Sequence, residues 1–230
     1  LMQAPKNGFF YVLDRETGEL LRANNYVRTN WATHIDLNTG RPVLNPDKDY
    51  YKKAEWILPG TFGGHGWQAM SYDPKQRLVF IPTMEIVAVH KVKESYSKTG
   101  LYKMQPQTVN TGTEFNLWGT VPDMSDGESI PPITGELIAF DPITGKTKWS
   151  IQHEQFWNGG PLTTAGNLVF QGNASGFFEA YDSRNGKLMW SKNAYIGIMA
   201  PPITFMLDGE QYISILAGDG GSSNFLGDNF

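Results

Sequence analysis

Ala139-Phe140-Asp141-Pro142-Ile143-Thr144-Gly145-Lys146-Thr147-Lys148-Trp149 is answered 41 residues later by Ala180-Tyr181-Asp182-Ser183-Arg184-Asn185-Gly186-Lys187-Leu188-Met189-Trp190. Asp, Gly, Lys and Trp recur at a single offset, and a fixed period is the mark of a repeat architecture. An apolar pair ends one strand, and the Asp carboxylate then accepts backbone N–H groups to start a turn. Gly, four positions on, supplies the positive φ a tight hairpin needs. The following strand carries a Trp large enough to wedge between neighbouring sheets. Partial copies without the Trp stand at Leu13-Asp14-Arg15-Glu16-Thr17-Gly18 and Ile35-Asp36-Leu37-Asn38-Thr39-Gly40, and a looser one without the Gly at Tyr72-Asp73-Pro74-Lys75-Gln76-Arg77.

Working outward from the second copy, Asn167-Leu168-Val169-Phe170-Gln171 and Phe177-Phe178-Glu179-Ala180-Tyr181 read as two strands separated by the turn residues from Asn173 to Gly176. With the strand before and the strand after, this makes one blade of a β-propeller. At roughly 40–45 residues per blade the chain holds about four blades, provided that residues 85–132 form an insertion. That stretch is polar and irregular, and it reads as a surface excursion. The fold class is therefore all-β, a partial propeller domain over residues 1–230. About four blades of a larger ring leave an open edge, which the rest of the ring or a partner must cover.

Composition narrows the function. Of 230 residues, 25 are Gly and 14 Pro, which opposes a helical fold; 7 Trp, 10 Tyr and 13 Phe supply the core. A net charge of −4 without a basic run removes the electrostatic footprint of nucleic-acid binding. Without Cys, no disulfide, thiolate metal site or cysteine nucleophile exists in these residues. The four histidines, His34, His65, His90 and His153, show no metal-ligand spacing, and neither a nucleophile elbow nor a Walker loop is present. Asp123-Met124-Ser125-Asp126-Gly127-Glu128 looks superficially like a calcium loop but lacks its alternating ligands. No segment is apolar for the ~20 residues a membrane-spanning helix needs. The absence of a leader at Leu1 and the glycine-rich close are expected of a piece of a longer chain.

The Asp-x-x-Thr-Gly-x-x-x-Trp unit resembles the tryptophan docking motif of the quinoprotein alcohol dehydrogenases, eight-bladed propellers that use pyrroloquinoline quinone. Further segments resemble the second half of that family in order: Ala4-Pro5-Lys6-Asn7-Gly8-Phe9-Phe10-Tyr11-Val12-Leu13-Asp14-Arg15, Thr29-Asn30-Trp31-Ala32, Gly63-Gly64-His65-Gly66-Trp67-Gln68 and Trp157-Asn158-Gly159-Gly160-Pro161-Leu162-Thr163-Thr164. The resemblance implies a periplasmic enzyme that oxidises an alcohol to an aldehyde by hydride transfer to the quinone, with Ca²⁺ as Lewis acid and a cytochrome c or another acceptor taking the electrons.

By the same resemblance Lys6 faces the ortho-quinone oxygens, where an ammonium stabilises developing negative charge. Asn30 and Trp31 meet the cofactor's polar edge with an amide and an indole N–H, and Asn158 and Ser222 complete the cofactor contacts. The catalytic Asp, the Ca²⁺ ligands and the adjacent cysteines belong to sequence before Lys6. No catalytic or metal-binding residue is therefore expected within this chain, which alone is inactive. Read without the resemblance, Lys6 is a solvated turn residue, Asn30 and Trp31 are a turn and a core aromatic, and Trp67, Trp149 and Trp190 are packing residues. The alternative function is a non-catalytic propeller that scaffolds other proteins. Such a scaffold has no need of Lys6 together with Asn30 and Trp31.

Overall fold

The repeated turns close in one way. Asp141 Oδ1 accepts the amides of Ile143 (2.9 Å) and Thr144 (3.1 Å), while Gly145, at φ +68°, donates its N–H to Asp141 O at 2.9 Å. Asp14 and Asp36 start the same turn, each closed by a glycine N–H to the aspartate carbonyl, at 3.0 Å from Gly18 and 2.8 Å from Gly40. At Asp182 the Gly186 N–H closes it at 2.9 Å, and Arg184 adds an ion pair to the carboxylate. At Asp73, whose carboxylate takes the Lys75 N–H at 2.8 Å, Arg77 adopts the positive φ of +58° that a glycine would otherwise supply.

These turns organise a computed structural model that describes residues 1–107, 110–114 and 131–218. Strands β1 (Met2–Gln3), β2 (Phe9–Leu13) and β3 (Leu20–Asn25) form a three-stranded sheet. A separate hairpin, β4 (Ala32–Ile35) and β5 (Pro42–Leu44), follows, then the short β6 (Glu55–Ile57). Next come β7 (Ser71–Asp73), β8 (Leu78–Glu85), β9 (Ala88–His90), the short helix α1 (Glu94–Thr99), β10 (Thr134–Asp141) and β11 (Lys146–His153). Their main sheet runs β11-β10-β8-β7. The next sheet has four strands in chain order, β12 (Leu162–Thr164), β13 (Leu168–Gly172), β14 (Phe177–Asp182) and β15 (Leu188–Asn193). A last hairpin pairs β16 (Ile203–Leu207) with β17 (Glu210–Ser214).

The core lies between sheets, which explains the unbroken apolar runs in β8 and β10. Val79, Ile81, Ile138 and Phe140 face the first sheet, where they meet Ala4, Phe10 and Tyr26. Leu78, Phe80, Leu137 and Ala139 point the opposite way and pack on Val169 and Tyr181 of the following sheet. A sheet buried on both faces has no polar alternation to show. Trp149 on β11 tilts against Phe80, with centroids 5.4 Å apart, and donates its indole N–H to Ser183 O of the next sheet's turn at 3.1 Å.

The copy at Asp36 belongs to the β4–β5 hairpin outside the four-stranded sheets. The three-stranded sheet, the two four-stranded sheets and the β16–β17 hairpin make up the expected run of about four blades, the first and last incomplete among the described residues. One expectation needs correction: the insertion is more than a surface excursion. Its first part, β9, pairs with β6 through Glu55↔His90, Trp56↔Val89 and Ile57↔Ala88, and Val92 beside it is buried. Asp123 and its neighbours lie outside the described residues.

Candidate functional site

The loops at one end of the sheets are stitched to one another, and this stitching presents Lys6. The β1–β2 loop, residues 4–8, is gripped from three directions. Tyr26 Oη donates to Pro5 O at 2.7 Å, Gly64 N donates to Lys6 O at 3.0 Å, and His65 Nδ1 lies 2.8 Å from Ala4 O. His65 Nε2 lies 2.9 Å from Gln68 O, so this buried ring clamps the Lys6 loop to the segment leading into β7. Burial holds the His65 imidazole below its ordinary pKa, although the two carbonyls oppose the shift. Gly63 explains the close approach: at φ +83°, a Cβ there would stand 2.6 Å from Lys6 Cα.

Lys6 and Trp31 line one cleft of about 770 Å³. Trp31, half-buried, meets Phe9 edge-on with centroids 6.0 Å apart and donates its indole N–H to Asn7 O at 2.9 Å. The N–H expected to reach a cofactor therefore anchors the Lys6 loop, and it is the indole ring that lines the cleft. Asn30 differs from expectation in a similar way. Its amide donates to Trp56 O at 3.0 Å and accepts the Leu58 N–H at 2.7 Å, while its own carbonyl accepts the Asn45 amide at 2.9 Å. The extended segment through β6 has backbone groups that need partners, and Asn30 supplies them from behind the cleft wall.

Asn158 is not part of this cleft either. It is buried, donating to Gln155 O at 2.8 Å and accepting the Ala174 N–H at 3.1 Å, and so it ties together the loops at the two ends of β12–β13. Ser222 lies outside the described residues. Of the predicted site residues, the structure thus brings Lys6 and Trp31 together, with Asn30 as their support.

The cleft's charges are mostly neutralised within its wall. Glu55, buried, takes Lys48 at 3.1 Å and Lys53 at 3.3 Å, and the Lys48 ammonium also sits 4.2 Å from the centroid of Trp56. Lys52 pairs with Asp49 at 3.1 Å. Lys6 differs: among the described residues no carboxylate, hydroxyl or carbonyl takes its ammonium. An uncompensated cation and an indole ring lining the same cleft fit a planar ligand bearing electron-rich oxygens. No group of three His, Asp or Glu side chains that could hold a metal ion occurs among the described residues.

Sequence reasoning missed a further part of the cleft's lining, Tyr50, Tyr51 and His90, with Thr111 and Thr113. The signal was present as the adjacent pair Tyr50-Tyr51, but nothing local says that His90 returns beside it through the β6–β9 pairing.

Comparison with known proteins identifies the family. The family described as glucose/ethanol/alcohol dehydrogenase, beta-propeller domain, matches residues 32–213. The quinohemoprotein alcohol dehydrogenase ADH IIB of Pseudomonas putida is 42% identical over 229 residues, 99% of this chain and 31% of that protein. The dehydrogenase subunit of the quinone alcohol dehydrogenase of Acetobacter aceti is 42% identical over 225 residues, covering 96% of this chain and 30% of that protein. The solved structure of quinohemoprotein alcohol dehydrogenase ADHIIG from Pseudomonas putida HK5 superposes with a TM-score of 0.81 at 37% identity, over 95% of this chain and 32% of that one. The chain thus spans about 30% of the length of the curated relatives it matches. With most of its length matched, it belongs to the glucose/ethanol/alcohol dehydrogenase β-propeller family.

Proposed function

We propose that this chain is part of a pyrroloquinoline quinone-dependent alcohol dehydrogenase that oxidises an alcohol to an aldehyde. The observation that carries the reading is the Lys6 ammonium, unpaired among the described residues and lining a cleft beside the Trp31 ring. The quinone, when bound, supplies the two-electron hydride acceptor. Lys6 holds negative charge at an oxygen as it develops, Trp31 offers a flat apolar surface, and Asn30 and His65 keep both in place through backbone carbonyls and amides. The hydroxyl proton goes to a carboxylate base outside this chain. Ca²⁺, with ligands also outside it, belongs to the same site.

The relatives' names support electron delivery to a cytochrome c or a quinone. A periplasmic location of the whole enzyme is part of the same proposal. The contact of Trp149 with Ser183 supports reading the repeat as a tryptophan docking motif within an eight-bladed ring that the remaining polypeptide completes.

The test is to reconstitute the full-length protein with the quinone and Ca²⁺, then follow alcohol-dependent dye reduction and quinone absorbance in the purified protein. Lys6→Met is expected to lower kcat roughly 10²–10³-fold, the loss typical of one charge-stabilising donor. Lys6→Arg should retain a substantial part of the rate. Quinone that fails to copurify, together with no turnover of any primary alcohol, overturns the reading.

A further inference from the structure

One wall of the cleft that Lys6 lines is a run of stacked rings that the reading above leaves without a task. His90 on β9 lies 5.7 Å from Tyr50, and Tyr50 stacks on Tyr51 at 5.6 Å and 24°. The Tyr51 hydroxyl meets that of Tyr96 on α1, and Tyr96 in turn meets Tyr102 edge-on at 6.2 Å. This ladder is anchored rather than draped: Val92 N donates to Tyr50 O at 3.1 Å, and β9 is fixed by its pairing with β6. Leu44, Ile57 and Pro59 continue the apolar lining toward Trp31.

The polar groups along this wall are already engaged with one another. Lys48 and Lys52 have their carboxylates, the Asn45 amide donates to Asn30 O and accepts the Asp47 N–H, and the hydroxyls of Thr111 and Thr113 are 2.8 Å apart. Burial pushes the His90 imidazole below its ordinary pKa, so it is neutral near pH 7. A charged or polyhydroxylated group laid here gives up water and finds few free partners, whereas an apolar group gives up nothing. A cleft of about 770 Å³ also has room beyond what a one- or two-carbon alcohol fills.

Resting on the proposed dehydrogenase reading, we propose that the Tyr50–Tyr51–His90 wall binds the tail of the substrate, selecting neutral alcohols that carry an extended alkyl chain or an aromatic ring, with Tyr50 as the specificity-determining residue. The alcohol carbon then points toward Lys6 and the tail lies along the rings.

The experiment measures kcat/KM of the reconstituted full-length protein for ethanol, 1-butanol, 1-hexanol, benzyl alcohol, glycerol and 4-hydroxybutyrate. A gain of roughly threefold to fourfold per added methylene, the transfer value of one CH₂, is expected up to 1-hexanol. Glycerol and 4-hydroxybutyrate should fall at least tenfold below 1-butanol. Tyr50→Ala should cut the gain per methylene below twofold, and Tyr50→Phe, which keeps the ring, should preserve it. Ethanol turnover with a flat chain-length profile overturns this inference and leaves the dehydrogenase reading standing. If no alcohol is oxidised, the dehydrogenase reading fails, and the tail site is judged by saturation-transfer NMR on the cofactor-free protein. There, tighter binding of 1-hexanol than ethanol that Tyr50→Ala abolishes supports the wall, and equal weak binding of both overturns it.

Discussion

Gly63 and Gly18 share a backbone conformation but not a neighbourhood, and the difference isolates what holds Lys6. Gly18, at φ +77°, has open space where a Cβ would go, whereas Gly63, at φ +83°, lies against the Lys6 backbone. Gly18→Ala should cost about 1–2 kcal/mol, the left-handed penalty alone. Gly63→Ala adds a clash that must displace the Lys6 loop, for a total of about 3 kcal/mol or more and a weakened affinity for the quinone; urea melts and cofactor titration of the full-length protein read the two effects. The turn aspartates give a second prediction. Ion pairing and hydrogen bonding from Arg184 hold Asp182 at about 2, below its ordinary 3.8. Because the folded value is depressed, the stabilisation is present above pH ~4 and is lost as pH falls toward 2. Asp182→Asn should therefore be less stable than the parent near neutral pH, with the gap closing between pH ~4 and ~2 in urea melts. These turn roles were legible in the sequence because Asp, Gly and their spacing act within five residues. The direction of the Asn30 amide was not, since its partners Trp56 and Leu58 lie 26 and 28 positions away along a route only the tertiary fold defines.

The position of Trp149 on the strand after the turn followed from the repeat. Its receptor did not. The indole packs over Gly186, where a Cβ would come within 2.9 Å of the ring, and its N–H reaches Ser183 O. Both belong to the turn of the next blade, so the Asp182-to-Gly186 turn serves its own hairpin and receives the preceding blade's Trp. Ser183 is buried, and Trp149→Phe leaves its carbonyl without that donor, at about 1–2 kcal/mol. Trp149→Ala also removes the ring from Phe80 and should cost about 3 kcal/mol or more. The ratio of the two, from urea melts of the full-length protein, separates the hydrogen bond from the packing. At this scale the polar insertion misled, because β9 is only three residues long and gains its order from β6, more than thirty positions earlier.

Coverage of the sheets changes along the molecule, and that gradient is a property of the ring rather than of any one residue. Phe80 and Leu137, in the sheet with neighbours on both sides, are fully buried, whereas Trp190 on β15 is 48% exposed, Ile203 62% and Met206 64%. The sequence announced an open edge through its count of blades, but it could not say which faces stay bare, because that depends on where each strand falls in its sheet. Phe205, 45% exposed and stacked on Tyr212 across the β16–β17 pair, turns this into opposite expectations for two forms of the protein. In residues 1–230 expressed alone the hairpin faces water, and an uncovered apolar strand is a site of self-association. Phe205→Lys should then reduce dye binding to exposed apolar surface and shift the chain toward monomer in size-exclusion chromatography. On the proposed ring, the next sheet covers β16 in the full-length protein; the same lysine is then buried without a partner, and thermal unfolding should show a loss of about 2–4 kcal/mol. A substitution that improves the isolated chain and harms the complete one identifies the hairpin as an unfinished blade. If both forms respond alike, β16 is a free surface in the whole protein and the ring does not continue across it.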